Sequence, residues 1–165
     1  METVEEAAVM AHRLGKKVVL NPAPASELSS RLLGSLFAIT PNETEAEKIS
    51  GIRITDEASA EYAARRIASM GVRNVIVTLG VRGALVFDGE HCETIPAYEM
   101  QAVDTTAAGD IFNGAFVVAL SEGRSLPEAV RFACKASAIS VTRVGAQSSA
   151  PYRTEVDIFN RYSIT

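Results

Sequence analysis

The chain has 165 residues, 47% of them hydrophobic, and a formal net charge of −4 at pH 7. That is enough apolar material for one core of common domain size. The acidic balance offers no basic field to nucleic acid or an anionic membrane, and no apolar run reaches the length of a membrane span. The two cysteines, Cys92 and Cys134, are far apart and lack metal-ligand spacing, which predicts reduced thiols. Glu2, Glu5 and Glu6 replace the basic and apolar regions of a secretory leader, so the expected compartment is the cytoplasm.

In chain order, Thr3 and Glu6 form a capping-box pattern. Val4, Ala7, Ala8, Ala11 and Leu14 then share one helix face until Gly15. Lys17–Asn21 reads as a short strand broken by Pro22 and Pro24, and Leu36–Thr40 as a second strand. A helix follows over about Glu43–Ser50 and stops at Gly51. Asp56 caps the next, whose apolar positions Ala60, Ala63, Ala64, Ile67 and Met70 run to Gly71. Val75–Leu79 is the near-continuous apolar run of a strand covered on both faces. Ala84–Phe87 and Cys92–Ile95 flank Asp88-Gly89, a two-residue hairpin signal. Helices are predicted near Ala108–Leu120, Pro127–Ser140 and Thr154–Tyr162. With no internal repeat or linker, the alternation predicts one α/β domain with a parallel centre to its sheet.

The most informative run is Asp104-Thr105-Thr106-Ala107-Ala108-Gly109-Asp110-Ile111-Phe112-Asn113-Gly114-Ala115-Phe116. Small residues let the backbone approach a ligand, and an apolar helical run follows. The N–H groups of Ala108, Gly109 and Asp110 are expected to point outward as an anion cradle. A carboxylate in an anion site makes sense if Asp110 takes a proton from a hydroxyl beside the developing phosphate charge. The bland alternative is an ordinary helix start with an acidic first turn. Elsewhere, GxxxxGK[ST] and GxGxxG are absent. Gly80 and Gly83 give only Gly-x-x-Gly, which by itself favours a turn between two strands. Asn42 and Glu45 by themselves are a capping pair, Asn as N-cap and Glu three residues on.

The Asp104–Phe116 run resembles the C-terminal signature of the ribokinase-like carbohydrate kinase family, also called pfkB. Thr40-Pro41-Asn42-Glu43-Thr44-Glu45, Thr78-Leu79-Gly80-Val81-Arg82-Gly83 and Val141-Thr142-Arg143-Val144-Gly145-Ala146-Gln147 are similar to ribokinase-type segments in the same order. The resemblance covers roughly residues 15–160. It implies a three-layer α/β/α fold with a mainly parallel central sheet, and a chain that looks like the C-terminal half of a family member, truncated at its N-terminus.

The resemblance also implies the chemistry: transfer of the ATP γ-phosphoryl group to the 5-hydroxyl of D-ribose, with Mg²⁺ and with K⁺ as activator. Asp110 is then the catalytic base and sugar contact, and Ala107, Ala108 and Gly109, with the Asp110 amide, form the anion hole. The ATP site takes Asn42, Glu45, Thr78, Gly80, Arg82, Gly83, Gly109 and Cys134, with Glu45 reaching Mg²⁺ through water. Cys134 stands where the family often has His or Asn and reads equally as a small core residue. Asp104, Thr106, Ser140, Arg143, Gly145 and Ser149 match the monovalent-cation positions. Most sugar contacts and the lid lie in the other half of family members, so weak or no activity and self-association through an exposed sheet edge are expected. The alternatives are a kinase of another small sugar or nucleoside, or a non-catalytic nucleotide-binding or assembly module. His12 and His91 match no site and read as surface or turn residues.

Overall fold

In a computed structural model of the chain, residues 2–159 are described, and they divide into two compact units. The first comprises the residues up to Leu79 together with Leu85–Thr94, and the second Gly80–Ala84 with the residues from Ile95 onward. Among the described residues no helix is long and apolar enough to cross a membrane.

A five-stranded sheet runs in the order β1 (Val19–Leu20), β2 (Ala38–Ile39), β3 (Asn74–Thr78), β4 (Ala84–Phe87) and β5 (Cys92–Ile95), and all of it except the end residues Ala84 and Ile95 belongs to the first unit. The first three strands are parallel, with Leu20 opposite Ile39 and Ile39 opposite Val75. Every residue of β4 and the first four of β3 are buried, so both sheet faces are covered, as the apolar runs predict. The strands β1 and β2 are shorter than expected. Pro22 and Pro41, which cannot donate to a ladder, follow within two residues of their ends. The β4–β5 loop is also longer than the two residues expected. It spans Asp88–His91, closed by Asp88 N–H donating to His91 C=O at 3.2 Å, while the Asp88 carboxylate accepts the amides of Glu90 and His91.

The helices of this unit are α1 (Glu2–Arg13), α2 (Ser30–Leu33), α3 (Glu43–Ser50) and α4 (Glu57–Ala68). The stripe Ala60, Ala63, Ala64 and Ile67 on α4 is fully buried against the core, following the 3.6-residue period. On α1 the expected cap and face are corrected. The helix already includes Glu2, so Thr3 lies inside its first turn, and the buried residues are Ala8 and Val9. Val4, Ala7 and Leu14 are exposed. The helix packs against α2, and Glu5 and Glu6 pair with Arg31 there. The helix α2 was not anticipated, because one turn is too short for periodicity to register. Ser29 caps it, accepting Leu32 N–H at 3.0 Å, and Leu32 and Leu33 are buried.

The second unit holds α5 (Ala108–Ser121), α6 (Leu126–Ser140) and α7 (Arg153–Ile158). Helices α5 and α6 pack along each other, Phe112, Phe116 and Ala119 of the first and Ala129, Val130, Ala133 and Ala136 of the second all being buried. Ser125 and Glu128 cap α6, and Pro127 occupies its first turn. The guanidinium groups of Arg124 and Arg153 lie 4.4 and 5.1 Å from the Phe132 ring. The last helix ends at Ile158, short of the predicted Tyr162, which lies outside the described residues.

Candidate functional site

In the second unit, α5 opens from Ala107, whose φ of 60° makes it the one described non-glycine residue with a left-handed backbone. A residue so placed cannot continue a helix backwards, and its side chain makes no cap. The Ala108 N–H, expected to point outward, instead donates to Thr105 C=O at 3.2 Å. The amides of Gly109 and Asp110 make no hydrogen bond among the described residues. Asp110 is exposed in the same turn, and nothing lies within 4 Å of where a Cβ on Gly109 would stand. Two further side chains hold this turn. Asn113 Nδ2 donates to Gly109 C=O at 2.8 Å, and Ser137 Oγ on α6 donates to Ala108 C=O at 3.1 Å. Sequence reasoning missed Ser137, since nothing local links it to a turn 29 residues earlier.

Of the predicted cation positions, Asp104, Thr106 and Gly145 are joined directly. Asp104 Oδ1 accepts Thr106 N–H and Oδ2 accepts Gly145 N–H, both at 2.9 Å. Bonding from Thr106 first, then from Gly145, holds the carboxyl well below its ordinary value, down to about 2. Val103 N–H donates to Val141 C=O at 2.7 Å, and Arg143 N–H to Ser140 C=O at 3.0 Å. Ser140 and Ser149 are buried, the latter donating to Ala146 C=O at 2.9 Å. The Arg143 guanidinium pairs with Glu155, whose carboxylate also caps α7 by accepting Tyr152 N–H. Arg143 therefore has only its backbone oxygen to offer a cation here.

In the first unit, Asn42 and Glu45 form the expected cap on α3. Asn42 Oδ1 accepts Glu45 N–H and Glu45 Oε2 accepts Asn42 N–H, both at 2.9 Å. Glu45 is buried, 9% exposed, which is unusual for a carboxylate serving only as a cap. Asn42 bridges Thr78 at the carboxyl end of β3, and Thr78 N–H donates to Pro41 C=O at 2.9 Å. Asn21, at the carboxyl end of β1, carries the one buried side-chain oxygen without a hydrogen-bond partner among the described residues. No sequence signal singles it out.

The segment after β3 is a 3₁₀ turn, Gly80–Arg82, with Gly83 N–H donating to Gly80 C=O at 3.0 Å. Gly83 has a φ of 98°, and a Cβ there would stand 2.0 Å from the Ile95 oxygen, so backbone packing alone demands glycine. Cys134 is buried, and desolvation pushes its thiol up to about 12. It is a small core residue and an unreactive thiol. His12 and His91 are exposed, as expected. Among the described residues no three His, Cys, Asp or Glu side chains are placed to hold a metal ion. A magnesium ion that keeps most of its waters needs only one or two carboxylates and oxygen acceptors, and Glu45 and Asn42 fit that need.

The chain belongs to the pfkB family of carbohydrate kinases, whose pattern it matches over residues 1–153. It is 52% identical to the ribokinase of Haemophilus influenzae over 152 residues, 92% of this chain and 50% of that protein. Its fold is similar to Arabidopsis thaliana ribokinase complexed with ribose and ATP, with a TM-score of 0.89 and 33% identity over 93% of this chain and 50% of that one. It is also similar to phosphofructokinase-2 from Escherichia coli in complex with potassium, with a TM-score of 0.82 and 26% identity over 94% and 50% of the two chains. The chain spans about half the length of the curated relatives it matches.

Proposed function

We propose that the chain is the nucleotide-binding and catalytic part of a ribokinase-like sugar kinase, moving the γ-phosphoryl group of ATP to the 5-hydroxyl of D-ribose. The observation that carries this reading is the start of α5. An uncapped helix N-terminus presents two unpaired amides, a glycine with open space before it, and the Asp110 carboxylate in one turn. Such a turn attracts a phosphate and holds a base beside it.

In the reaction Asp110 accepts the proton of the sugar hydroxyl as that oxygen bonds to the γ-phosphorus. The bond from phosphorus to the bridging oxygen breaks, and ADP leaves. The Gly109 and Asp110 amides stabilise the charge on the transferring group. Bound Mg²⁺ would neutralise the nucleotide phosphates, and Asn42 and Glu45 would hold its waters. Thr78, Gly80, Arg82 and Gly83 supply the nucleotide-side backbone, with Cys134 as an apolar wall. The oxygens around Asp104, Thr106, Ser140, Arg143, Gly145 and Ser149 suit K⁺, whose charge an ionised Asp104 balances. The Escherichia coli relative bound to potassium supports that assignment. Cytoplasmic location and self-association through the β1 edge belong to the same reading.

The test is ribose-dependent ADP formation with Mg²⁺-ATP and K⁺, read beside nucleotide binding, for the chain and its Asp110→Asn variant. Weak turnover that needs ribose and disappears in the variant, with ATP still bound, is the expected result. Equal loss of turnover and ATP binding would count against Asp110 as the base.

A further inference from the structure

The Gly109 and Asp110 amides, which make no hydrogen bond among the described residues, each form one end of a peptide unit whose other end is a carbonyl. For the Gly109 amide that carbonyl belongs to Ala108, and for the Asp110 amide to Gly109. A side chain donates to each of the two: Ser137 Oγ to Ala108 C=O at 3.1 Å, and Asn113 Nδ2 to Gly109 C=O at 2.8 Å. A helical carbonyl already serves the amide four residues on, so each of these is a second bond on one oxygen. A hydroxyl on a helix ordinarily turns back to a carbonyl of its own preceding turn. The neighbouring hydroxyls do so, Ser140 to Ser137 C=O and Thr142 to Ile139 C=O, whereas Ser137 reaches across to α5.

The peptide unit is planar, with its N–H and C=O pointing in opposite directions. A donor on the oxygen therefore fixes the direction of the N–H. It also draws electron density away from that N–H, which strengthens it as a donor. The same end of α6 holds the other flank of the turn, since Val141 C=O accepts the amides of Val103 at 2.7 Å and Asp104 at 3.2 Å. Tied to α6 on both flanks, the two amides are set before any phosphate arrives, which is what stabilising a developing charge requires. We propose that Ser137 and Asn113 are positioning residues of the turn that opens α5, Ser137 acting through the Gly109 amide and Asn113 through the Asp110 amide. This rests on the kinase reading above.

The experiment compares the unaltered chain with Ser137→Ala and Asn113→Ala in three measurements: ligand-free ¹⁵N–¹H amide spectra, melting, and calorimetric binding of Mg²⁺-ATP and of Mg²⁺-ADP. Ser137→Ala should move the Gly109 nitrogen resonance upfield and leave that of Asp110 nearly still, and Asn113→Ala should do the reverse. Melting midpoints should hold, because alanine's better helix propensity offsets the lost bond. Each variant should bind Mg²⁺-ATP about threefold more weakly, a part of one hydrogen bond, and Mg²⁺-ADP within about 1.5-fold, because only ATP carries the phosphate that reaches the turn. Asn113 bonds at the surface, so its variant keeps the test free of any packing change around Ser137. Equal weakening of both nucleotides, or amide resonances that stay in place, would make the two side chains purely structural and overturn the proposal. So would unaltered Mg²⁺-ATP affinity alongside the expected amide shifts, a result that leaves the kinase reading standing. An unaltered chain that binds neither nucleotide would overturn the kinase reading and this inference together.

Discussion

Gly83 and Gly109 both sit in segments that small residues alone would mark as ligand loops, yet they are glycines for different reasons. At Gly83 a side chain would drive into the Ile95 oxygen and the Ala97 amide, so Gly83→Ala should lose at least about 2 kcal/mol in a denaturant titration. At Gly109 nothing opposes a methyl group, and alanine favours helix. Gly109→Ala should therefore keep or slightly raise stability, by up to about 1 kcal/mol, while weakening ATP binding. Unchanged ATP affinity there would remove the anion cradle. Asp104 is legible by pH. Its folded value lies near 2 against an ordinary 3.8, so its contribution is present in full above the higher value and is lost as pH falls through the lower. Asp104→Asn should melt below the unaltered chain at pH 6, and the gap should close between about pH 4 and about pH 2. A gap that persists at the acid end would mean that the carboxylate's charge is not what ties the Thr106 and Gly145 loops together.

The helices α3 and α4 begin with the same device, an Asx N-cap whose third residue bonds back to it. Asn42 with Glu45, and Asp56 as an N-cap, were readable in sequence as helix starts, because capping depends on spacing within one turn, and the structure adds Ser59 as the partner of Asp56. What spacing could not tell is which cap also serves a ligand. The structure separates them by burial: Glu45 is 9% exposed, whereas the Asp56–Ser59 bonds lie at the surface. Asn42→Ala and Asp56→Ala should each cost about 1 kcal/mol of stability. Only Asn42→Ala should also weaken Mg²⁺-dependent ATP binding, a difference that calorimetry on the two variants would show. The short helix α2 and the roll of α1 lay beyond the same reasoning. One has a single turn, and the other packs against a segment, including Arg31, that lies 25 residues beyond Glu6.

At the scale of the whole molecule, β1 is an end strand, hydrogen-bonded in the sheet to β2 alone. Its residues are half-buried, and α1 carries exposed Met10 and Leu14. An apolar, unpaired strand edge templates association. Sedimentation should show a self-associating chain, and Val19→Lys should shift it toward monomer without loss of folded signal. A monomer at all concentrations would rule out the β1 edge as a contact.

The sequence by itself determined the α/β alternation, the parallel centre, the caps of α3 and α4, and the family signature around Asp110. All of these rest on periods, turn chemistry and contiguous motifs, which act over a few residues. Only the tertiary structure decided that Ser137 braces the Ala108 turn, that Asp104 ties its loop to Gly145, that Gly83 answers to Ile95, and that Asn21 is left without a donor. Each of these joins positions far apart in the chain, or turns on burial, and a hydrogen bond or a steric clash exists only once the fold has brought its two partners within reach.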